Sequence, residues 1–219
     1  MSLSMSLSLL RRTTAVAALI GGSLLAAASA QATAIVATDS TVGGADASTL
    51  ARSVTIADSV TVTDVNISID WSKCDGGFTA DGFCDASSGF PFPSEANMWL
   101  TDPSGTVVTL FPAGQYSGPG SSINVTTVFD DEAAAALGST IASGTFRPTG
   151  SLSDFDGANS AGTWTLSMRD TTGADPLLYR SFTLTLNGDD RQDLPEPASL
   201  ALLGMGLAGL GAMRRRKRK

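Results

Sequence analysis

Between Thr49 and Asn187 the chain repeats its apolar residues at every second position, and this period constrains the fold more than any other feature. A period of two sends alternate side chains to opposite faces of a strand, whereas a helix needs apolar residues three and four apart. Val54/Ile56 and Val60/Val62 open the pattern. Val65/Ile67/Ile69 continue it in shifted phase, which predicts a bulge or turn near Thr63-Asp64. Ala96/Met98/Leu100 run into Asp102-Pro103-Ser104-Gly105, a turn sequence with proline at its second position, and Val107 to Phe111 return as the second arm of a hairpin. Ile123/Val125 with Val128/Phe129, then Trp164/Leu166/Met168 and Phe182/Leu184/Leu186, complete the strand set. The helical signal is confined to Asp130-Asp131-Glu132 leading into Ala133 to Leu137, enough for one or two turns before Gly138. The expectation is an all-β, jelly-roll β-sandwich over residues 49–187. Residues 31–48 read as a flexible leader and residues 188–193 as a polar linker.

The two ends read differently. Arg11 and Arg12 precede an apolar stretch from Thr13 to Ala28, and Ala28-Ser29-Ala30 is a small-x-small cleavage sequence, so residues 1–30 are expected to be a secretory signal peptide. At the other end Pro195-Glu196-Pro197 is held extended by its two prolines. An uncharged apolar run from Ala198 to Met213 follows, and Arg214, Arg215, Arg216, Lys217, Arg218 and Lys219 close it. Such a run satisfies its backbone in lipid only as a helix, and the cationic cluster keeps its end cytoplasmic. The 16 residues of 198–213 span roughly 24 Å as a helix against a hydrocarbon core of about 30 Å, short for a permanent anchor. Residues 194–219 together resemble the PEP-CTERM sorting signal of Gram-negative bacteria. That resemblance implies a membrane exosortase as a partner, at least transient residence in the membrane, and a final address at the cell surface or in the extracellular matrix.

Stripped of both ends, the chain is strongly acidic. Eight of the 14 Lys/Arg lie in the leader and tail, and of the 21 Asp/Glu only Glu196 does. Residues 31–193 therefore carry six cations against 20 acids, a net charge of −14. Nucleic acid is not an expected partner of such a surface, whereas divalent cations are compatible with it. The chain contains no histidine, which removes the usual base of a serine or cysteine nucleophile and the commonest zinc ligand. Cys74 and Cys84 are the only cysteines; in an exported chain they predict a disulfide.

Several segments, read in order, resemble the P domain (P/Homo B) that follows the catalytic domain in subtilisin-like proprotein convertases. They are Val65 to Asp70, Leu100 to Thr106 with Val108 to Leu110, Val128 to Ala133, Gly144 to Pro148 and Asn159 to Leu166, followed by Asp170-Thr171 and the closing strand Ser181 to Leu186. The resemblance implies a non-catalytic β-sandwich that can hold calcium. The sequence departs from it after Asp70, where Trp71 opens an insertion containing Cys74, Cys84 and Pro91-Phe92-Pro93, and where Glu95-Ala96 replaces an expected Asp-Leu.

Three groups of residues are candidates for function. Asp154-Phe155-Asp156-Gly157 and Asp130-Asp131 supply hard oxygen ligands suited to calcium, or else serve as ordinary solvated turns. Neither stretch has the spacing of an EF-hand. Trp71, Phe78, Phe83, Phe90 and Phe92 make the insertion the candidate contact surface, unless these aromatics pack beneath it. Trp164, in phase with Leu166 and Met168, is expected in the core. Together these features point to a non-enzymatic exported protein with a binding or adhesive module for matrix polysaccharide or another surface protein. The alternative is an accessory module that assists a separate subtilisin-like serine endopeptidase.

Overall fold

The computed structural model describes residues 32–85, 89–117, 122–189 and 204–207. β4 (Thr61–Lys73) is the middle of the larger of two sheets. Its odd-numbered residues Val65, Ile67, Ile69 and Trp71 all point inward and are buried. It pairs antiparallel with β10 (Leu177–Asp189) on one side and β7 (Ile123–Phe129) on the other. The second half of β10 pairs with β1 (Ala32–Asp39) and its first three residues with β2 (Gly43–Ala45), while β8 (Gly144–Phe146) lies parallel to β7. The smaller sheet has the order β3 (Thr49–Ile56), β9 (Gly162–Asp170), β5 (Ala96–Thr101), β6 (Val107–Phe111).

The inward faces meet in a mixed aliphatic and aromatic core. Trp71 of the larger sheet stacks on Phe111 of the smaller at 5.8 Å between ring centroids, and Phe111 meets Phe129 at 6.2 Å and the edge of Tyr116 at 5.0 Å. Trp164 is fully buried against Phe155 and donates its indole N–H to the Ser160 carbonyl at 2.9 Å. Burial drives the Tyr116 phenol well above its ordinary range.

The expected phase shift is present as a bulge: Asp64 pairs with Asn187 and Val62 with Gly188, which leaves Thr63 unmatched. The β5–β6 hairpin closes through Asp102, whose carboxylate accepts the Ser104 and Thr106 N–H groups at 3.0 and 2.7 Å, with Gly105 at φ 94°. A second bulge, at Arg180, was not legible in the sequence. Tyr179 pairs with Trp71 and Ser181 with Asp70, so Arg180 is the extra residue.

Four expectations are corrected. The expected leader at residues 31–48 contains β1 and β2, because β10 pairs with β4 along one edge and would leave its other edge without partners. The linker begins later than expected, since β10 runs through Asp189. The sandwich is correspondingly wider than residues 49–187. Ala133 to Leu137 make no helix: Arg147 takes the Ala133 and Ala134 carbonyls through its guanidinium at 2.6 and 3.0 Å and the Ala135 carbonyl through its backbone at 2.8 Å. Those oxygens are then unavailable to a helical ladder.

Residues 204–207, inside the expected span, form one helical turn with Met205 and Leu207 exposed. Among the described residues no helix is long and apolar enough to cross a membrane. The signal peptide, Pro195-Glu196-Pro197, the rest of the span and the basic tail lie outside the described residues.

Candidate functional site

The insertion leaves β4 at Lys73 and is tied at once by the Cys74–Cys84 disulfide, with 5.3 Å between the Cα atoms. Inside it, residues 77–85 fold as a miniature hairpin. Phe78 bridges Cys84, the Thr79 N–H donates to the Phe83 carbonyl at 2.8 Å and the Asp85 N–H to the Gly77 carbonyl at 3.0 Å. Gly82, at φ 78°, makes the turn. Side chains hold further described residues of the insertion. The Asp75 carboxylate accepts the Phe90 N–H at 2.8 Å, Asp175 accepts the Phe92 N–H at 3.2 Å, and Asn124 accepts the Cys84 N–H at 2.9 Å.

Arg180 fastens the hairpin to the sheet. Its bulge aims the side chain off the regular alternation. The guanidinium then donates to the carbonyls of Trp71, Gly82 and Val125 at 3.0, 3.1 and 3.1 Å and to the Ser72 hydroxyl. It also covers the Phe83 ring, 4.4 Å from the centroid. Burial pushes the Arg180 guanidinium below its ordinary value, opposed by the nearby Asp70 carboxylate. The hairpin is thus fastened to the sheet by one bulged arginine and one disulfide.

Four of the five aromatic candidates are exposed, Phe78 and Phe83 on that hairpin and Phe90 and Phe92 on the segment tied to Asp75 and Asp175. Phe78, Phe83, Phe90 and Phe92 retain 52, 44, 72 and 62% of their accessible surface. Trp71 does not join them. It is wholly buried, stacked on Phe111, with its indole N–H donated to the Thr127 hydroxyl at 3.1 Å. The reason is register, because Trp71 continues the inward parity of Val65, Ile67 and Ile69. Beside the hairpin an open cleft of about 540 Å³ runs between it and the β2 segment. Val42 to Asp46 form one wall, Gly76, Phe78 to Ala80 and Gly82 the other, and Ala174, Pro176 and Leu178 also line it. Among the described residues no cationic side chain lines the cleft.

Of the four aspartates considered for calcium, Asp130 and Asp131 have local structural tasks. The Asp131 carboxylate accepts the Ser153 N–H at 2.9 Å and the Ser151 hydroxyl at 2.8 Å, anchoring the 3-10 turn Leu152–Phe155. Burial raises its titration, but the hydrogen bonds from Ser153, Leu152 and Ser151 outweigh burial and hold it below the ordinary carboxylate range. The Asp130 carboxylate accepts the Glu132 N–H at 2.8 Å, and Asp154 and Asp156 are exposed. Burial, then the carboxylates of Asp64 and Asp131, push Asp156 upward. Among the described residues no three of His, Cys, Asp and Glu are grouped to hold a metal ion.

One cluster was invisible in the sequence. Lys73, the last residue of β4, is fully buried and contacts Asp170 at 2.7 Å and Glu95 at 3.2 Å.

No curated protein matches the chain. Among solved structures it is similar to the serine protease of Aeromonas sobria. In complex with its chaperone that protease gives a TM-score of 0.45 at 16% identity over 73% of this chain, and alone it gives 0.43 at 16% over 72%. The chain spans 27% of the length of those proteases. Residues 193–217 match the PEP-CTERM protein-sorting motif. The chain therefore carries, behind a two-sheet β-sandwich, the sorting motif of an exported, surface-directed protein processed by an exosortase.

Proposed function

We propose that this is a non-catalytic component of the cell surface or extracellular matrix, whose sandwich binds a matrix polymer or surface protein through the aromatic insertion and its cleft. The observation that carries the reading is the exposure of Phe78, Phe83, Phe90 and Phe92 on a segment that is covalently and polar-bonded into place. Large apolar side chains grouped in water on a rigid support mark interaction surfaces. The cleft favours a neutral glycan over a charged ligand: it has Phe78 on one wall and Gly43, Gly44 and Asp46 on the other, with no cation among its described lining residues. The flanking parts complete the reading. A cleaved signal peptide starts export, and a short glycine-rich span over 198–213 holds the protein in the membrane until the sorting enzyme acts at Pro195-Glu196-Pro197.

The test is capture of shed matrix material by immobilised residues 31–193, with Phe90→Ser/Phe92→Ser as the control. Polysaccharide or a surface protein retained by the native sandwich and lost by the control supports the proposal. Retention of a subtilisin-like protease instead would establish the accessory role, and equal capture by both proteins would remove the insertion from the site.

A further inference from the structure

The fully buried Lys73 ends a strand of the larger sheet, and the acids that meet it are Asp170, the last residue of β9 in the smaller sheet, and Glu95, the last residue of the 3-10 turn that leads into β5. Its neighbours across the sheet are Leu177 on β10 and Ile123 on β7. Its Nζ lies 2.7 Å from Asp170 Oδ2 and 3.2 Å from Glu95 Oε2, and it also donates to the Asp175 carbonyl. Asp170 is fully buried, and Glu95 keeps only 15% of its side-chain exposure. A carboxyl C–O bond is about 1.25 Å long, so Asp170 Cγ lies within about 4 Å of Nζ, at the edge of attacking distance. The remaining carboxyl oxygen, Oδ1, accepts the Thr172 N–H at 3.2 Å. The Glu95 carbonyl accepts the Thr171 N–H at 3.2 Å, which ties the second acid beside the first.

We propose that Lys73 and Asp170 become joined by an intramolecular amide bond between Nζ and Cγ, with Glu95 as the proton carrier. An ammonium–carboxylate pair and a neutral amine–carboxylic acid pair differ by one proton moved along the hydrogen bond. From the neutral pair the Nζ lone pair attacks Cγ, and the oxyanion forms on Oδ1, where the Thr172 N–H already points. Glu95 accepts one proton from Nζ and returns it to Oδ2. The Cγ–Oδ2 bond breaks, and Oδ2 leaves as water carrying two of the three original ammonium protons. The third stays on the amide nitrogen. No oxidant, cofactor or second enzyme is needed. The product cross-links the two sheets at the base of the aromatic insertion, next to the Cys74–Cys84 disulfide. Protein exposed outside the cell gains from such a bond, since it survives conditions that reduce disulfides.

The experiment is mass spectrometry of the purified full chain after disulfide reduction, with its termini fixed by their own peptides. The expected result is a mass lower than the sequence requires by one water, and a branched peptide containing both Lys73 and Asp170. The variants Glu95→Gln and Lys73→Arg are expected to show the full mass. Recovery of unlinked Lys73 and Asp170 peptides from folded native protein overturns the proposal, and so does a water loss that maps to Asp75-Gly76, Asp81-Gly82 or Asp156-Gly157 as a succinimide. Native protein alone decides the matter, so a variant that fails to fold does not shield it.

Discussion

The guanidinium of Arg180 lies over the ring of Phe83, 4.4 Å from its centroid, while donating to three carbonyls drawn from β4, β7 and the disulfide hairpin. One side chain therefore joins the sheet to the proposed contact surface. Arg180→Ala leaves the carbonyls of Trp71, Gly82 and Val125 without this donor. The expected cost is about 2–4 kcal/mol of stability, measured by urea unfolding, together with weaker ligand capture. Arg180→Lys is expected to recover only part of both, because an ammonium cannot reproduce the planar fork.

The disulfide acts through the unfolded chain. Closing a loop with a sequence separation of 10 is expected to contribute about 3 kcal/mol in the chain-entropy model. Cys74→Ser/Cys84→Ser should lower the denaturation midpoint accordingly, and reduction of the native protein should reproduce the change. Equal midpoints for oxidised and reduced protein would show that Arg180, Asp75 and Asn124 suffice to hold the hairpin.

The aromatics divide into two classes that a mutation series separates. Trp71→Ala removes a wholly buried ring from the stack on Phe111 and is expected to cost about 3–5 kcal/mol. Phe90→Ser and Phe92→Ser remove exposed rings, so stability should hold to within about 0.5 kcal/mol while ligand capture falls. Intrinsic fluorescence during unfolding distinguishes the two outcomes.

Asp131 and Asp156 predict opposite pH effects. Asp131 titrates lower in the folded protein, so its contribution is present above the unfolded value of about 3.9 and is lost as pH falls through the folded one. Asp131→Asn should flatten that acid limb. Asp156 is raised, so its ionisation opposes folding. Asp156→Asn should therefore be the more stable protein at neutral pH, and the difference should vanish once the native aspartate is protonated in acid. Thermal melts from pH 3 to pH 7 check both. The same melts with calcium or EDTA should coincide, because the Asp131 carboxylate is engaged by Ser151 and Ser153 and, among the described residues, no three acids are grouped around a common point; a rise with calcium would show that the acids close around the ion.

How far the sequence was legible depended on whether a residue's partner was local. The Thr63 bulge, the Asp102–Gly105 hairpin and the core position of Trp164 follow from alternation and turn chemistry within a few residues. Trp71 continues the parity of Ile67 and Ile69, yet its place at the head of an insertion made it look like a surface residue. β1 escaped notice because it carries small and polar residues around Ile35, and its partner β10 lies about 150 positions further along the chain.

By itself the sequence determined the strand phases, the pairing of Cys74 with Cys84 and the sorting address in residues 193–217. Each of these rests on chemistry written within one segment. Only the tertiary structure decided that Lys73 would be buried between Asp170 and Glu95, and that Arg180 would leave its strand to hold the insertion. The acids that enclose Lys73 stand 22 and 97 residues away from it. A charge is buried only when such partners arrive together, and the packing of one sheet on the other brings them there.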